Sequence, residues 1–204
     1  MKRASGRLIV VMGLLTLGVL PVKALAGPAV AFQSEDFELG LGKKWAVGSD
    51  KFSVVDSSLA FSGDKYLNLT GPSATGGDSL LWETSSAGYE NISVSGYMKI
   101  HAALELTDRL SLGWSVDGLT WQIPIILSGS PVNEWTPFSF DLPATADNNA
   151  QLTLRWLAEF DGASDRVLVD QLSLTGSPVS VPEPSLLSLF GVGLVACLSR
   201  RYLV

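Results

Sequence analysis

A single histidine, His101, and a single cysteine, Cys197, accompany twenty carboxylates in 204 residues. Those counts exclude a zinc site built from several His or Cys ligands. They also argue against nucleophilic catalysis, because no Gly-x-Ser-x-Gly turn and no cysteine partner accompanies His101. Glycoside hydrolysis asks only for two carboxylates about 5 to 10 Å apart, and Glu83, Glu90, Glu105, Glu134 and Glu159 are available for it. With nineteen Asp or Glu between residues 27 and 180, however, some pair falls close by chance. The sequence therefore reads as that of a non-enzyme.

Aromatic side chains are the better chemical resource. A sugar stacks its apolar C–H face on a ring while neighbouring polar groups fix its hydroxyls. Parity along the strands sorts the rings. Trp114 shares parity with Leu110, Leu112 and Val116, and Trp156 with Leu152 and Leu154, so both point into the core. Tyr97 lies between Ser95 and Lys99 on the opposite parity and is expected to face solvent. Trp82, Tyr89, Trp121 and Trp135 sit near turns or strand ends, where a ring is presentable to a glycan, although core or turn packing also accounts for each.

The elements that must hold these residues are strands. Apolar residues recur with period two in Ser93–Ile100, Leu110–Val116, Phe138–Leu142 and Val167–Leu174. Further strands are expected at Lys51–Val55, Leu59–Phe61, Tyr66–Leu69, Ser79–Glu83, Trp121–Leu127 and Gln151–Phe160, punctuated by turns such as Ser62-Gly63-Asp64, Asp117-Gly118 and Asp161-Gly162. About ten short strands without helical crossovers predict an all-β fold, an antiparallel β-sandwich over residues 27–178.

Both ends read as addresses flanking that sandwich. Lys2, Arg3 and Arg7 precede an apolar run from Leu8 to Leu20, and Ala24-Leu25-Ala26 offers small residues for cleavage after Ala26. Residues 1–26 are thus a signal helix for signal peptidase. At the other end, residues 179–204 carry Val181-Pro182-Glu183-Pro184, an apolar helix over 185–199 and the pair Arg200-Arg201. The cations stay cytoplasmic at both ends, so the intervening residues are exported and the inner membrane is engaged only in transit. Residues 27–180 hold eight Lys or Arg against nineteen Asp or Glu, a balance of 8 − 19 = −11. That charge disfavours nucleic acid and direct attraction to an anionic polymer, and suits divalent cations.

The C-terminal Pro-Glu-Pro, short helix and Arg-Arg together resemble the PEP-CTERM sorting signal of Gram-negative bacteria. The resemblance implies cleavage near Val181-Pro182-Glu183-Pro184 by an exosortase and release toward the surface or matrix of a cell that makes exopolysaccharide. Asp36-Phe37-Glu38 followed by Trp45, Ser62-Gly63 with Tyr66-Leu67-Asn68-Leu69, and Val167–Leu172 resemble segments of galactose-binding-like jelly rolls. A lectin- or laminin-G-like sandwich is the competing fold. The jelly-roll resemblance implies a structural calcium near the join of first and last strands, with Glu38 and Asp170 as ligands. The expectation is an exported, non-catalytic sandwich that binds or organises extracellular polysaccharide through Tyr97, Trp121, Trp82 or Trp135. The alternatives are an adhesive module with no sugar ligand and a secreted polysaccharide-active enzyme.

Overall fold

A computed structural model describes residues 27–100, 104–105, 107–127 and 133–180. The signal-cleavage residues Ala24 and Ala26 lie outside it. So do His101, the sorting residues Val181, Pro182, Glu183, Pro184, Arg200 and Arg201, and both terminal helices. Among the described residues no helix is long and apolar enough to cross a membrane.

The described chain is an antiparallel sandwich of two sheets. Its strands are β1 (Val30–Glu35), β2 (Trp45–Val47), β3 (Phe52–Asp56), β4 (Lys65–Thr70), β5 (Asp78–Glu83), β6 (Tyr89–Ile100), β7 (Arg109–Ser115), β8 (Gln122–Leu127), β9 (Thr136–Asp141), β10 (Thr153–Glu159) and β11 (Arg166–Pro178). Sheet A runs β3-β4-β11-β6-β9, with β1 also paired to β11, and sheet B runs β2-β5-β10-β7-β8.

The alternation that defines the strands also builds the core. Leu80 and Trp82 of β5, Ile92 and Val94 of β6, Leu110, Leu112 and Trp114 of β7, and Leu154 and Trp156 of β10 are all buried between the sheets. Each large apolar side chain so placed contributes roughly 1.5–3 kcal/mol. Trp45 and Trp82 stack with ring centroids 5.2 Å apart, and Phe138 meets Trp156 edge-on at 5.8 Å. Gly96 is required where it stands, because a Cβ there would come within 2.9 Å of both Leu172 and Phe138.

Strand β11 organises sheet A by changing neighbours along one edge. Arg166–Val169 pair with β4, whereas Leu172–Gly176 pair with β1. The change occurs at a bulge over Asp170 and Gln171, where Gln171 takes a φ of 53°. The bulge shifts inward parity from Val167 and Val169 to Leu172 and Leu174, so both halves bury their apolar residues.

Two expected elements differ. Leu59–Phe61 is a bend, not a strand, and folds across the outer side of sheet A. The chain's first strand is Val30–Glu35, while Asp36-Phe37-Glu38 forms a turn after it. Phe37 has a φ of 61° there and is buried, its N–H donating to Glu35 Oε1 at 3.0 Å.

Candidate functional site

The outer face of sheet B is built by the residues that alternate with its core set. Arg155 of β10 stands in register with Leu81 on one side and Gly113 on the other, and the next row is Glu83, Thr153 and Ser115. Gly113 matters to this surface, since a Cβ there would lie 2.7 Å from the Gln122 carbonyl oxygen. Its absence lets the start of β8 fold over β7, where the pairing register shifts between Leu112 and Trp114. Trp121, immediately before β8, is thereby brought to Arg155, whose Cζ lies 4.2 Å from the indole centroid. Such cation–π contact is worth about 0.5–1 kcal/mol at an exposed site and more where water is excluded.

The hairpin leading to Trp121 is held by its own side chains. Asp117 Oδ1 accepts the N–H groups of Leu119 at 2.8 Å and Thr120 at 2.7 Å and the Ser115 hydroxyl at 2.9 Å. Ser115 Oγ in turn accepts the Gly118 N–H at 2.9 Å. These donors hold the Asp117 carboxyl well below the usual carboxylate range, so it stays ionised and the turn stays closed. Beside the hairpin lies a cleft of about 500 Å³ whose polar lining includes Lys44, Glu83, Asp117, Gln151 and Thr153. Of the five glutamates considered for hydrolysis, Glu83 lines this cleft.

On sheet A the outer face is covered. Phe61 stacks on Tyr97 with centroids 3.7 Å apart, and Trp135 packs edge-on against Phe61 at 5.9 Å and Tyr66 at 6.5 Å. The Trp135 indole N–H donates to the Leu59 carbonyl at 3.0 Å. Tyr97 therefore has the outward parity expected of it, but a ring 36 positions upstream lies on one of its faces. Trp135 likewise serves the covering loop. Trp82 corrects the expectation outright: it is 2% exposed, stacked on Trp45 in the core, and offers no surface for a sugar. Tyr89 stacks on Phe32 at 4.2 Å and packs against the core. Trp121 alone among the four predicted rings lies beside an open cleft.

The covering loop is anchored by Glu38 and Asp170. Asp170 is wholly buried at the β11 bulge, its Oδ2 accepting the N–H groups of Phe61 at 3.0 Å and Ser62 at 3.2 Å and its Oδ1 that of Gln171 at 2.7 Å. Glu38 Oε1 accepts the N–H groups of Asp64 at 3.0 Å and Lys65 at 2.9 Å, and the Lys65 ammonium donates to the Glu38 carbonyl at 2.7 Å. Burial pushes the Asp170 carboxyl up, and the negative charge of Glu38 adds to the rise. Two carboxylates thus converge on one loop with hard oxygens to spare, and this donor set fits a calcium ion as it was expected to.

A third acidic group was not anticipated. Asp108, Asp161 and Asp165 bring carboxylate oxygens within 4.8 Å of one another. Asp108 Oδ1 accepts the Asp161 N–H at 2.9 Å and Asp165 Oδ2 the Gly162 N–H at 2.6 Å, bracing the turn between β10 and β11. Burial, with the charges of Asp108 and Asp161, pushes the Asp165 carboxyl up. Arg155 was also missed, because its partnership with Trp121 depends on the β7–β8 fold-over and not on any local pattern.

Comparison with known proteins bears on the tail and the fold separately. Residues 180–201 match the model of the PEP-CTERM protein-sorting motif, so the chain carries a signal for export and sorting to the cell surface or extracellular space. No curated protein matches by sequence. Among solved structures, the CBM22-1 xylan-binding domain of Paenibacillus barcinonensis Xyn10C superposes with a TM-score of 0.52 at 16% identity, covering 77% of this chain and 100% of that one. TmCBM61, solved in complex with β-1,4-galactotriose, gives 0.50 at 16% identity over 68% of this chain and 92% of that one. The K3 cleaved adhesin domain of Lys-gingipain from Porphyromonas gingivalis w83 gives 0.54 at 12% identity over 72% and 99%. The chain therefore has the sandwich fold seen in carbohydrate-binding modules.

Proposed function

We propose that this chain is an exported, exosortase-processed protein of the cell surface or matrix whose sandwich binds extracellular polysaccharide without cleaving it. In this reading residues 1–26 are removed by signal peptidase, 27–178 form the working domain and 179–204 are the sorting segment. The sorting motif at residues 180–201 supports the route, and the resemblance in fold to carbohydrate-binding modules supports the ligand class.

The observation that carries the binding half is the outer face of sheet B: an indole clamped to a guanidinium beside a polar-lined cleft of about 500 Å³. Trp121 supplies the apolar surface, and Glu83, Gln151 and Thr153 supply hydrogen-bonding groups within reach of a chain laid along the cleft. Glu38 and Asp170 would hold a structural calcium whose charge offsets theirs and stiffens the loop over sheet A.

The test is affinity electrophoresis of the full chain through gels containing the producing cell's own polysaccharide. Retardation that is lost in Trp121→Ala is expected, and migration unaffected by any such polymer would remove the carbohydrate reading. A second reading, an adhesive module that binds protein, is favoured by the likeness to an adhesin domain at a TM-score of 0.54. It predicts retention on a protein partner that Trp121→Ala does not weaken.

A further inference from the structure

Recognition of a neutral sugar by stacking and hydroxyl contacts does not call for a buried cation, yet the outer face of sheet B holds one. The neighbours of Arg155 across the sheet, Leu81 and Gly113, bring no side-chain acceptor, and its aromatic partner Trp121 brings only a ring face. Arg155 Nε is shielded from solvent and donates to nothing among the described residues. A desolvated donor without an acceptor is costly, and a guanidinium remains charged through the whole physiological range. The arrangement is incomplete without an oxygen acceptor, and a planar fork pinned against a ring is best completed by a planar, two-oxygen anion.

We infer that the polysaccharide taken by this face is anionic, with the carboxylate of a uronic acid unit paired to Arg155 while Trp121 packs beside the sugar. This narrows the proposed carbohydrate function to a substrate class and rests on that function. The acidic character of the domain does not oppose it, because charges on the far side are screened beyond about 8 Å at physiological ionic strength, whereas the Arg155 contact is direct. Glu83 and Lys44 share the adjoining cleft, so the charged sugar is directed to the Arg155 end and its neighbours along the chain to the cleft.

The full chain, held in a mild non-ionic detergent, is titrated against polygalacturonate, against the same polymer with its carboxyls reduced to alcohols, and against dextran sulfate. Polygalacturonate is expected to bind about tenfold more tightly than the reduced polymer, the size of one charge-assisted pair. Arg155→Gln should erase that preference while keeping residual affinity for the reduced polymer, Arg155→Lys should retain part of it, and Trp121→Ala should weaken both, with circular dichroism confirming that each variant is folded. Equal binding of the two polymers, a preference that survives Arg155→Gln, or tighter binding of dextran sulfate than of polygalacturonate would overturn the inference. Binding to the reduced polymer that ignores Arg155 would leave the carbohydrate reading standing. Failure to bind any of these polymers or the producer's own polysaccharide would remove both.

Discussion

On sheet A the outward Tyr97 lies beneath Phe61 and beside Trp135, and two carboxylates pin the loop that carries Phe61; on sheet B the outward Arg155 lies against Trp121 and borders an open cleft. Both faces come from the same period-two alternation and both carry aromatic rings. The difference lies in what the connections do. Residues 57–64 fold back over sheet A because buried Asp170 and Glu38 accept their N–H groups, whereas the 115–120 hairpin of sheet B satisfies its own N–H groups through Asp117 and Ser115 and leaves the sheet uncovered. An aromatic cluster on a sandwich is therefore not in itself a binding platform. It becomes one only where the adjoining loop is self-sufficient.

The largest effect should come from breaking the cover. Asp170→Ala leaves three N–H groups without their acceptor, and at roughly 1 kcal/mol each the loss is about 3 kcal/mol. Urea denaturation reads it directly, and a loss under 1 kcal/mol would mean that the loop does not depend on this carboxylate. Calcium comes next. At a hundredfold excess over its dissociation constant it should raise wild-type stability by about 2.7 kcal/mol, and Asp170→Asn should respond far less; an identical response in both would place any ion elsewhere. Third, Trp121→Ala should cost about 2 kcal/mol of polysaccharide binding, roughly thirtyfold, with little change in stability. Were stability to fall by as much as affinity, sheet B would be as closed as sheet A and the contrast would vanish.

Much of this was legible in the residues. Parity placed Trp114 and Trp156 in the core, and it set Tyr97 on the outer side of β6. It failed at Trp82, because Leu80, Leu81 and Trp82 are all apolar and neither parity stands out. The cover over Tyr97 was not visible, since it depends on a loop fastened by Asp170, more than a hundred positions away in the chain. Inward parity does flip between Val169 and Leu172, and that flip marks the bulge where Asp170 sits. The pairing of Trp121 with Arg155 left no local trace: it needs Gly113 to admit the β8 backbone, a condition set by tertiary packing.

The fourth expected effect is smaller and separates the roles of the rings. Phe61→Ala removes a stacked pair and an edge contact worth about 1 kcal/mol, and Phe61 is already 42% exposed, so denaturation should show a modest loss while polysaccharide affinity stays at the wild-type value. A fall in affinity would give sheet A a share of the ligand.

The smallest effect is in pH, and its sign differs between the two faces. Asp170 under the loop and Asp165 in the β10–β11 turn have folded carboxyls raised above the ordinary 3.8, chiefly by burial. Each takes up its proton more readily folded than unfolded, so stability should rise as pH falls from neutral through their folded values and stop rising near 3.8. Asp117 in the sheet B hairpin is shifted the other way by the Thr120 and Leu119 N–H groups. Its contribution is complete above 3.8 and fades as pH falls further. Urea midpoints measured with a chelator present should therefore climb between pH 7 and about 4 and then drop, with Asp165→Asn flattening the climb and Asp117→Asn the drop. A monotonic decline from pH 7 would show that the buried carboxylates are relieved by something other than protonation, and calcium restored to the buffer is the first candidate for that relief.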